Sequence, residues 1–139
     1  MTRAVHSVGR KQSLKKAHDM MRKHQIRHLP VLDGGKLVGL VSLRDLTLVE
    51  GLPDVDPTVV VVEEAMTQVP YTVTRDAELG EVAREMARRK LGSAVVVRRD
   101  KVIGVFTTVD ALRALSDTLA ELDEAPRSAP GVRRLSAAP

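Results

Sequence analysis

The sequence predicts an α/β protein in which one β-α-β-β-α unit is used twice. Three observations predict it. The chain repeats itself in a single register, each copy carries one helical stripe of apolar residues, and each copy then offers two short apolar runs around a turn. The repeat is plainest in GLVSLRD, residues 39–45, and GVFTTVD, residues 104–110. Both give glycine, two apolar residues, a hydroxyl residue, two spacers and an aspartate. The same offset (104 − 39 = 65) puts Val8 on Val73, Leu14 on Leu79, Met21 on Met86 and Val31 on Val96, and even Met1-Thr2 on Met66-Thr67. Chance does not hold one register that long.

The elements follow in order. A short extended piece opens each copy, residues 5–8 and 71–73. Leu14, Ala17, His18 and Met21 then fall at i, i+3, i+4 and i+7, as do Leu79, Val82, Ala83 and Met86, giving one amphipathic helix per copy. Ser13 is the expected N-cap of the first helix and Asp76 of the second. Two apolar runs come next. In the first copy they flank Asp33-Gly34-Gly35-Lys36, a strong hairpin signal. In the second they flank Arg98-Arg99-Asp100-Lys101, a weaker turn in the same place. A second helix starts directly after each heptapeptide. The boundaries read as unit one over 1–50, linker and lead-in over 51–65, unit two over 66–123, and a disordered tail over 124–139. Within the lead-in, residues 59–66 read as an extended stretch before one helical turn.

Composition bounds the function. With 43% hydrophobic and 29% charged residues the 139-residue chain has an ordinary globular balance. It has no cysteine, so disulfides and thiolate chemistry are excluded. The longest apolar run is four valines, residues 59–62, far short of a membrane span, and no secretory h-region opens the chain. A cytoplasmic protein is expected. The net charge of +4 and pI near 9.8 raise a polyanionic partner. Tyr71 and Phe106 are the only aromatics, however, so a base-stacking platform is lacking and nucleic acid is disfavoured.

The heptapeptide carries the chemistry. Ser42 ends a strand and opens a helix, so its hydroxyl can cap free N–H groups while Asp45 reaches back in a capping box; Thr107 and Asp110 can do the same. That geometry is also an anion site, because a helix start exposes N–H donors and partial positive charge. A hydroxyl there donates to phosphate, and an aspartate one turn in accepts from a ribose diol. Hydroxyl plus carboxylate suits a nucleoside phosphate better than bare phosphate.

The paired units, each ending in G-h-h-[S/T]-x-x-D, resemble tandem cystathionine β-synthase (CBS) domains. Residues 26–46, IRHLPVLDGGKLVGLVSLRDL, are close to that family's core pattern, and residues 91–111 are a looser copy. The resemblance implies two intertwined α/β units related by a pseudo-twofold, with sheets packed on each other and helices outside. It implies a regulatory role, with AMP, ADP, ATP or S-adenosylmethionine bound in clefts between units and no catalysis. The site residues it implies are Ser7, His28, Pro30, Ser42, Arg44, Asp45, Thr72, Ser93, Thr107, Thr108 and Asp110. Ser42 and Thr107 would contact phosphate or ribose, Asp45 and Asp110 would hold ribose hydroxyls, and Ser7 and Thr72 would line the adenine ends. Arg44 faces Val109 in the repeat, so a phosphate suits the first unit better.

The remaining motifs have plainer readings. His24 and His28 are four apart, but residue 26 onward approaches a strand, which breaks helical metal spacing; no metal is expected. Arg22-Lys23-His24 and Arg88-Arg89-Lys90 sit at equivalent helix ends and complement the dipole. No nucleophile–base set, P-loop or dinucleotide fingerprint is present. Val109, Leu112, Leu115 and Leu119 form one stripe, and Leu43, Leu46 and Leu48 a second patch, from which a homodimer is expected alongside an effector protein. The alternatives are a ligand-free structural or dimerisation adaptor and a basic nucleic-acid-binding regulator.

Overall fold

The chain forms two mixed four-stranded sheets, each built by one repeat and closed at its edge by a strand from beyond it. This is a computed structural model, and it describes residues 2–3, 6–124 and 134–135. The first repeat supplies β2 (Val8–Gly9), α1 (Leu14–His24), β3 (His28–Asp33), β4 (Lys36–Ser42) and α2 (Leu43–Glu50). The second supplies β6 (Thr72–Thr74), α3 (Leu79–Arg89), β7 (Ser93–Arg98), β8 (Lys101–Thr107) and α4 (Thr108–Glu124). Two further strands, β1 (Thr2–Arg3) and β5 (Thr67–Gln68), precede the repeats, and a 3-10 turn, Val62–Glu64, lies before β5.

Local chemistry explains most of these elements. Ser13 Oγ accepts from Lys16 N at 3.1 Å and starts α1, whose Leu14, Ala17 and Met21 are buried. Arg22, Lys23 and His24 stand at its negative end, and Gln25 stops it at φ 53. The helix α3 buries Leu79, Val82 and Met86 and stops at Lys90 with φ 56. Its start corrects the expected cap. The N-cap is Glu78, with no side-chain bond, while Asp76 Oδ1 accepts the Thr74 hydroxyl at 2.6 Å and closes a turn at the end of β6. Asp76 lies two residues too early to reach the helix N–H groups.

Both hairpins use two left-handed residues. Gly34 and Gly35 sit at φ 58 and 83, Arg99 and Asp100 at φ 50 and 63. A two-residue turn that matches strand twist needs positive φ twice, so the second copy makes the turn without glycine, at roughly 1–2 kcal/mol per residue less an aspartate's tolerance.

The edge strands are exchanged. β5, which leads into the second repeat, pairs antiparallel with β4 of the first (Gly39 with Gln68, Leu40 with Thr67). β1, which leads into the first repeat, pairs with β8 of the second (Arg3 with Gly104, Thr2 with Val105). The two pairings are the same after the repeat offset. Gly39 is required here: a Cβ on it would lie 2.5 Å from Met66 Sδ and 2.9 Å from the Thr67 carbonyl oxygen. The packing therefore divides the chain differently from the repeat. One compact body takes the described residues from His6 to Pro70 with Arg99–Val102; the other takes Thr2–Arg3, Tyr71–Arg98 and the described residues from Ile103 onward.

A segment after each repeat plugs that repeat's core. In the first body Val62 N donates to Gln12 O at 2.8 Å, Val61 bridges Ser13, and Val62 is fully buried beside Leu14 and Leu46. In the second body Leu135 N donates to Ala77 O at 3.3 Å, Arg134 bridges Glu78, and Leu135 is fully buried beside Leu79 and Phe106. Gln12 and Ala77 are equivalent in the repeat, so Leu135 is the counterpart of Val62. The expectation of a disordered tail over 124–139 fails at Arg134 and Leu135, and α4 includes Glu124; residues 125–133 and 136–139 lie outside the described residues. A single leucine among prolines and alanines gives no periodic signal, and the longer α4, 17 residues against 8 for α2, takes it out of register.

The apolar patches also divide. Leu46 is fully buried and Leu43 packs on the same core, so the expected patch on α2 reduces to Leu48. On α4 Val109, Leu112, Leu115, Leu119 and Leu122 are all exposed.

Leu135→Ala should destabilise the protein by about 2–4 kcal/mol, the cost of a large-to-small change in a core. Urea denaturation checks it. A loss within the error of a surface substitution would mean that the tail does not plug the core.

Candidate functional site

At the end of β4 the chain turns from strand to helix in one residue. Ser42 is extended (φ −105, ψ 160), and the next residue is helical. Asp45 N donates to Ser42 Oγ at 3.0 Å, and Ser42 N donates to Asp45 Oδ2 at 2.9 Å, so each satisfies the other. Leu43 N donates to Arg27 O at 2.8 Å, which anchors the first turn to the approach of β3. Across the ladder His28 is the partner of Ser42. Four residues thus meet: Arg27 just before β3 and His28 on it, with Ser42 at the end of β4 and Asp45 in the first turn of α2. Among the described residues the Ser42 hydroxyl proton and Asp45 Oδ1 have no hydrogen-bond partner. Arg44 is exposed at the second helical position.

His28 is half-buried, and burial pushes its pKa down; the Asp45 carboxylate pulls it back up and Arg27 pushes it further down. It is therefore a neutral imidazole near neutral pH, beside the Asp45 carboxylate and the Arg27 guanidinium.

The second repeat builds the same turn with different atoms. Thr107 N donates to Asp110 Oδ2 at 2.9 Å, the Thr107 hydroxyl donates to the same oxygen at 3.1 Å, and Asp110 N donates to Thr107 Oγ1 at 3.3 Å. Thr108 N and its hydroxyl both donate to Gly92 O, at 3.0 and 3.2 Å. Asp110 is buried at 3% exposure, whereas Asp45 is half-buried. Ser93, the counterpart of His28, is buried at 5% exposure.

The other expected site residues are placed apart. Pro30 is buried in β3, two residues beyond His28. Ser7, before β2, and Thr72, which opens β6, are exposed. Sequence reasoning passed over Arg27 and Gly92. Their signal is positional: each immediately precedes the residue opposite the hydroxyl, and its carbonyl receives the first helical N–H.

The histidines do not converge on a metal. His24 ends α1 and stacks on His6 with ring centroids 3.5 Å apart, His18 bonds Glu50 at 3.1 Å, and His28 is on β3. Among the described residues no group of three or more His, Asp or Glu is placed to hold a metal ion. Among them, too, no helix is long and apolar enough to cross a membrane. Of the basic runs, Arg88 pairs with Glu85 and Arg89 lies 5.2 Å from the Tyr71 ring centroid.

Comparison with known proteins now fixes the class. The CBS domain model matches residues 1–50 and 62–117, and the chain belongs to the CBS-domain family. It is 34% identical over 126 residues to an inosine-5'-monophosphate dehydrogenase of Korarchaeum cryptofilum, covering 90% of this chain but only 25% of that one. Among solved structures, a Vibrio cholerae protein named for acetoin utilization, AcuB, superposes with a TM-score of 0.74 at 32% identity, covering 94% of both chains. CBSX2 in complex with AMP gives 0.74 at 28% identity, covering 86% of this chain and 95% of that one. The CBS pair of MJ0100, in complex with 5-methylthioadenosine and S-adenosyl-L-methionine, gives 0.72 at 27%, covering 81% and 90%. The fold is that of a CBS pair.

The lowered pKa of His28 has a sign. The folded protein disfavours the imidazolium more than the unfolded chain does, so the stability gained is complete above the ordinary value of 6.5 and is lost as pH falls below it towards the depressed value. Denaturation midpoints should drop as pH falls below the ordinary histidine value of 6.5, and His28→Gln should flatten part of that slope. His24 is lowered too, first by desolvation and then by His6, so His24→Gln is the companion variant. A His28→Gln protein with the full wild-type slope would remove His28 from the pH response.

Proposed function

We propose that this chain is a regulatory module that binds an adenosine-containing ligand at its capped helix starts and conveys its occupancy to a partner protein. One observation carries the reading: in a CBS-family chain, both strand-to-helix turns hold a hydroxyl and a carboxylate locked together at a helix N-terminus. The ligands named for CBSX2 and MJ0100, AMP, 5-methylthioadenosine and S-adenosyl-L-methionine, support the ligand class. AMP, ADP or ATP, or an S-adenosyl compound, would meet Ser42 as donor, Asp45 Oδ1 as ribose acceptor, and Arg44 as phosphate partner, with Arg27 and His28 adding charge. Thr107, Thr108, Asp110 and Ser93 are the second set, and Ser7, Thr72 and Pro30 complete the proposed lining. No step of bond chemistry is assigned to any of them.

Output requires a surface. The exposed stripe on α4 runs Leu112, Leu115, Leu119, Leu122, with each side chain about half exposed. That 3-4-3 spacing is the seam of a two-helix packing, and a second copy of the same helix supplies a matching one. The module is read as a homodimer through α4, with a different effector protein receiving the signal. Without ligand binding, the same stripe would make the chain a dimerisation adaptor.

Two measurements separate these readings. By calorimetry, AMP should bind in the micromolar to millimolar range, and Asp45→Ala should weaken it by roughly 1.5–3 kcal/mol through lost charged hydrogen bonds. No heat with AMP, ATP or S-adenosylmethionine would favour the adaptor. By sedimentation, the protein should run at twice its 15.2 kDa chain mass, and Leu115→Asp should shift it to monomer. A wild-type monomer at high micromolar concentration would reassign the stripe to an unlike partner.

A further inference from the structure

Each repeat has a seat at the start of its first helix, and a segment from outside the repeat fills it. The two fillings differ in charge. In the first body Val62 is fully buried, and Glu63 beside it puts Oε2 3.1 Å from Lys11 Nζ and 3.6 Å from Arg10 Nε. In the second Leu135 is fully buried, and Arg134 beside it donates from Nη1 to Asp76 O at 3.3 Å and bridges Glu78. The repeat offset accounts for the difference. Lys11, Ser13 and Lys16 of the first rim become Asp76, Glu78 and Glu81 of the second, while Arg10 becomes Arg75. A mainly basic rim holds an acidic segment, and a mainly acidic rim holds a basic one. Each seat therefore selects by charge as well as by its aliphatic anchor.

The two fillings are also held unequally. Val62 N donates to Gln12 O at 2.8 Å, Glu63 N to Arg10 O at 3.0 Å, and Leu14 N to Val60 O at 2.9 Å. β5 follows in the same body and fixes the far end of that segment on β4. The bond from Leu135 N to Ala77 O is longer, at 3.3 Å. Among the described residues Arg134 makes no ion pair to match those of Glu63. The last element before it, α4, ends at Glu124, ten residues earlier (134 − 124 = 10). Leu135 thus fills a core position with little else, among the described residues, to hold its segment there.

We propose that this seat is a docking site for an extended segment of an effector protein, one with a basic residue directly before a branched aliphatic residue. The chain's own Arg134 and Leu135 hold the seat in cis and yield it to such a segment. The filling itself defines the partner's chemistry: a branched aliphatic side chain packs with Leu79 and Phe106, and a positive charge suits Asp76, Glu78 and Glu81. A tethered competitor lowers the partner's apparent affinity, so occupancy follows how firmly the tail is seated. Docking here needs no adenosine at the capped helix starts.

Fluorescence anisotropy on the full chain tests this, with a labelled peptide of residues 130–139 standing in for the partner segment. Arg134→Glu, at an exposed position, should loosen the tail without emptying the core, and the peptide should then bind at least about tenfold tighter than to wild type. Leu135→Ala should act in the same direction; if circular dichroism shows it unfolded, Arg134→Glu alone carries the test. Adding Glu81→Lys should weaken the peptide again, and a labelled peptide of residues 57–66, with its two glutamates, should not compete. If folded Arg134→Glu protein binds the basic peptide no tighter than wild type, or takes the acidic peptide equally well, the tail is a fixed part of the core and the proposal falls. If sedimentation shows that Arg134→Glu turns a wild-type dimer into a monomer, the occupant is the tail of a second copy and the effector assignment falls.

Discussion

A hydroxyl and a carboxylate, exchanging hydrogen bonds across three residues, govern both halves of this protein. At Ser42–Asp45 and Thr107–Asp110 the chain must stop being a strand and become a helix within one residue, and the first N–H groups of the helix would otherwise be stranded. Each cap contributes about 1 kcal/mol. Its larger effect is positional. It fixes where α2 leaves β4 and where α4 leaves β8, and the bonds from Leu43 and Thr108 then tie those helices to Arg27 and Gly92.

The repeated heptapeptide serves two neighbours at once. Its glycine and its hydroxyl–aspartate pair lie on one short strand and the helix after it. Gly39 admits the exchanged strand β5, which brings Met66 and the Thr67 carbonyl closer than any side chain would allow. Three residues on, Ser42 starts the helix. The motif thus joins an edge strand supplied from outside the repeat to the capped helix start within it. The edge that β4 would otherwise expose is covered by chain, which removes a template for aggregation. Arg10 reinforces the arrangement in the first body, standing 3.3 Å from Asp33 and 3.6 Å from Glu63, so the segment before β5 is held to the hairpin.

Much of this was legible in the sequence because it is local. Helical stripes, the Ser13 cap, the Gly34-Gly35 turn and both capping boxes each depend on residues within a few positions, and the duplication showed them twice. What was not legible depends on distance. Nothing near Leu135 marks it as core, because its partners Leu79 and Phe106 lie far upstream. The exchange of β1 and β5 is a pairing between segments that look like lead-ins. Asp76 was misread for another reason: the repeat register puts Glu78 on Ser13, but cap chemistry favours aspartate, and the register was right. At the site, the paired hydroxyls and carboxylates were visible in the motif. The parts of Arg27 and Gly92 became visible only when the backbone showed which carbonyl meets the first N–H of each helix.

The central claim is that the capped helix starts are where an adenosine ligand is held. The most direct measurement is a titration of 15N-labelled protein with AMP, followed by amide chemical shifts. The account predicts saturable shifts centred on the amides of Arg27, His28, Ser42, Arg44 and Asp45, where the N–H groups and the carboxylate face the ligand. Saturable shifts centred elsewhere, with those five amides unmoved, would contradict it.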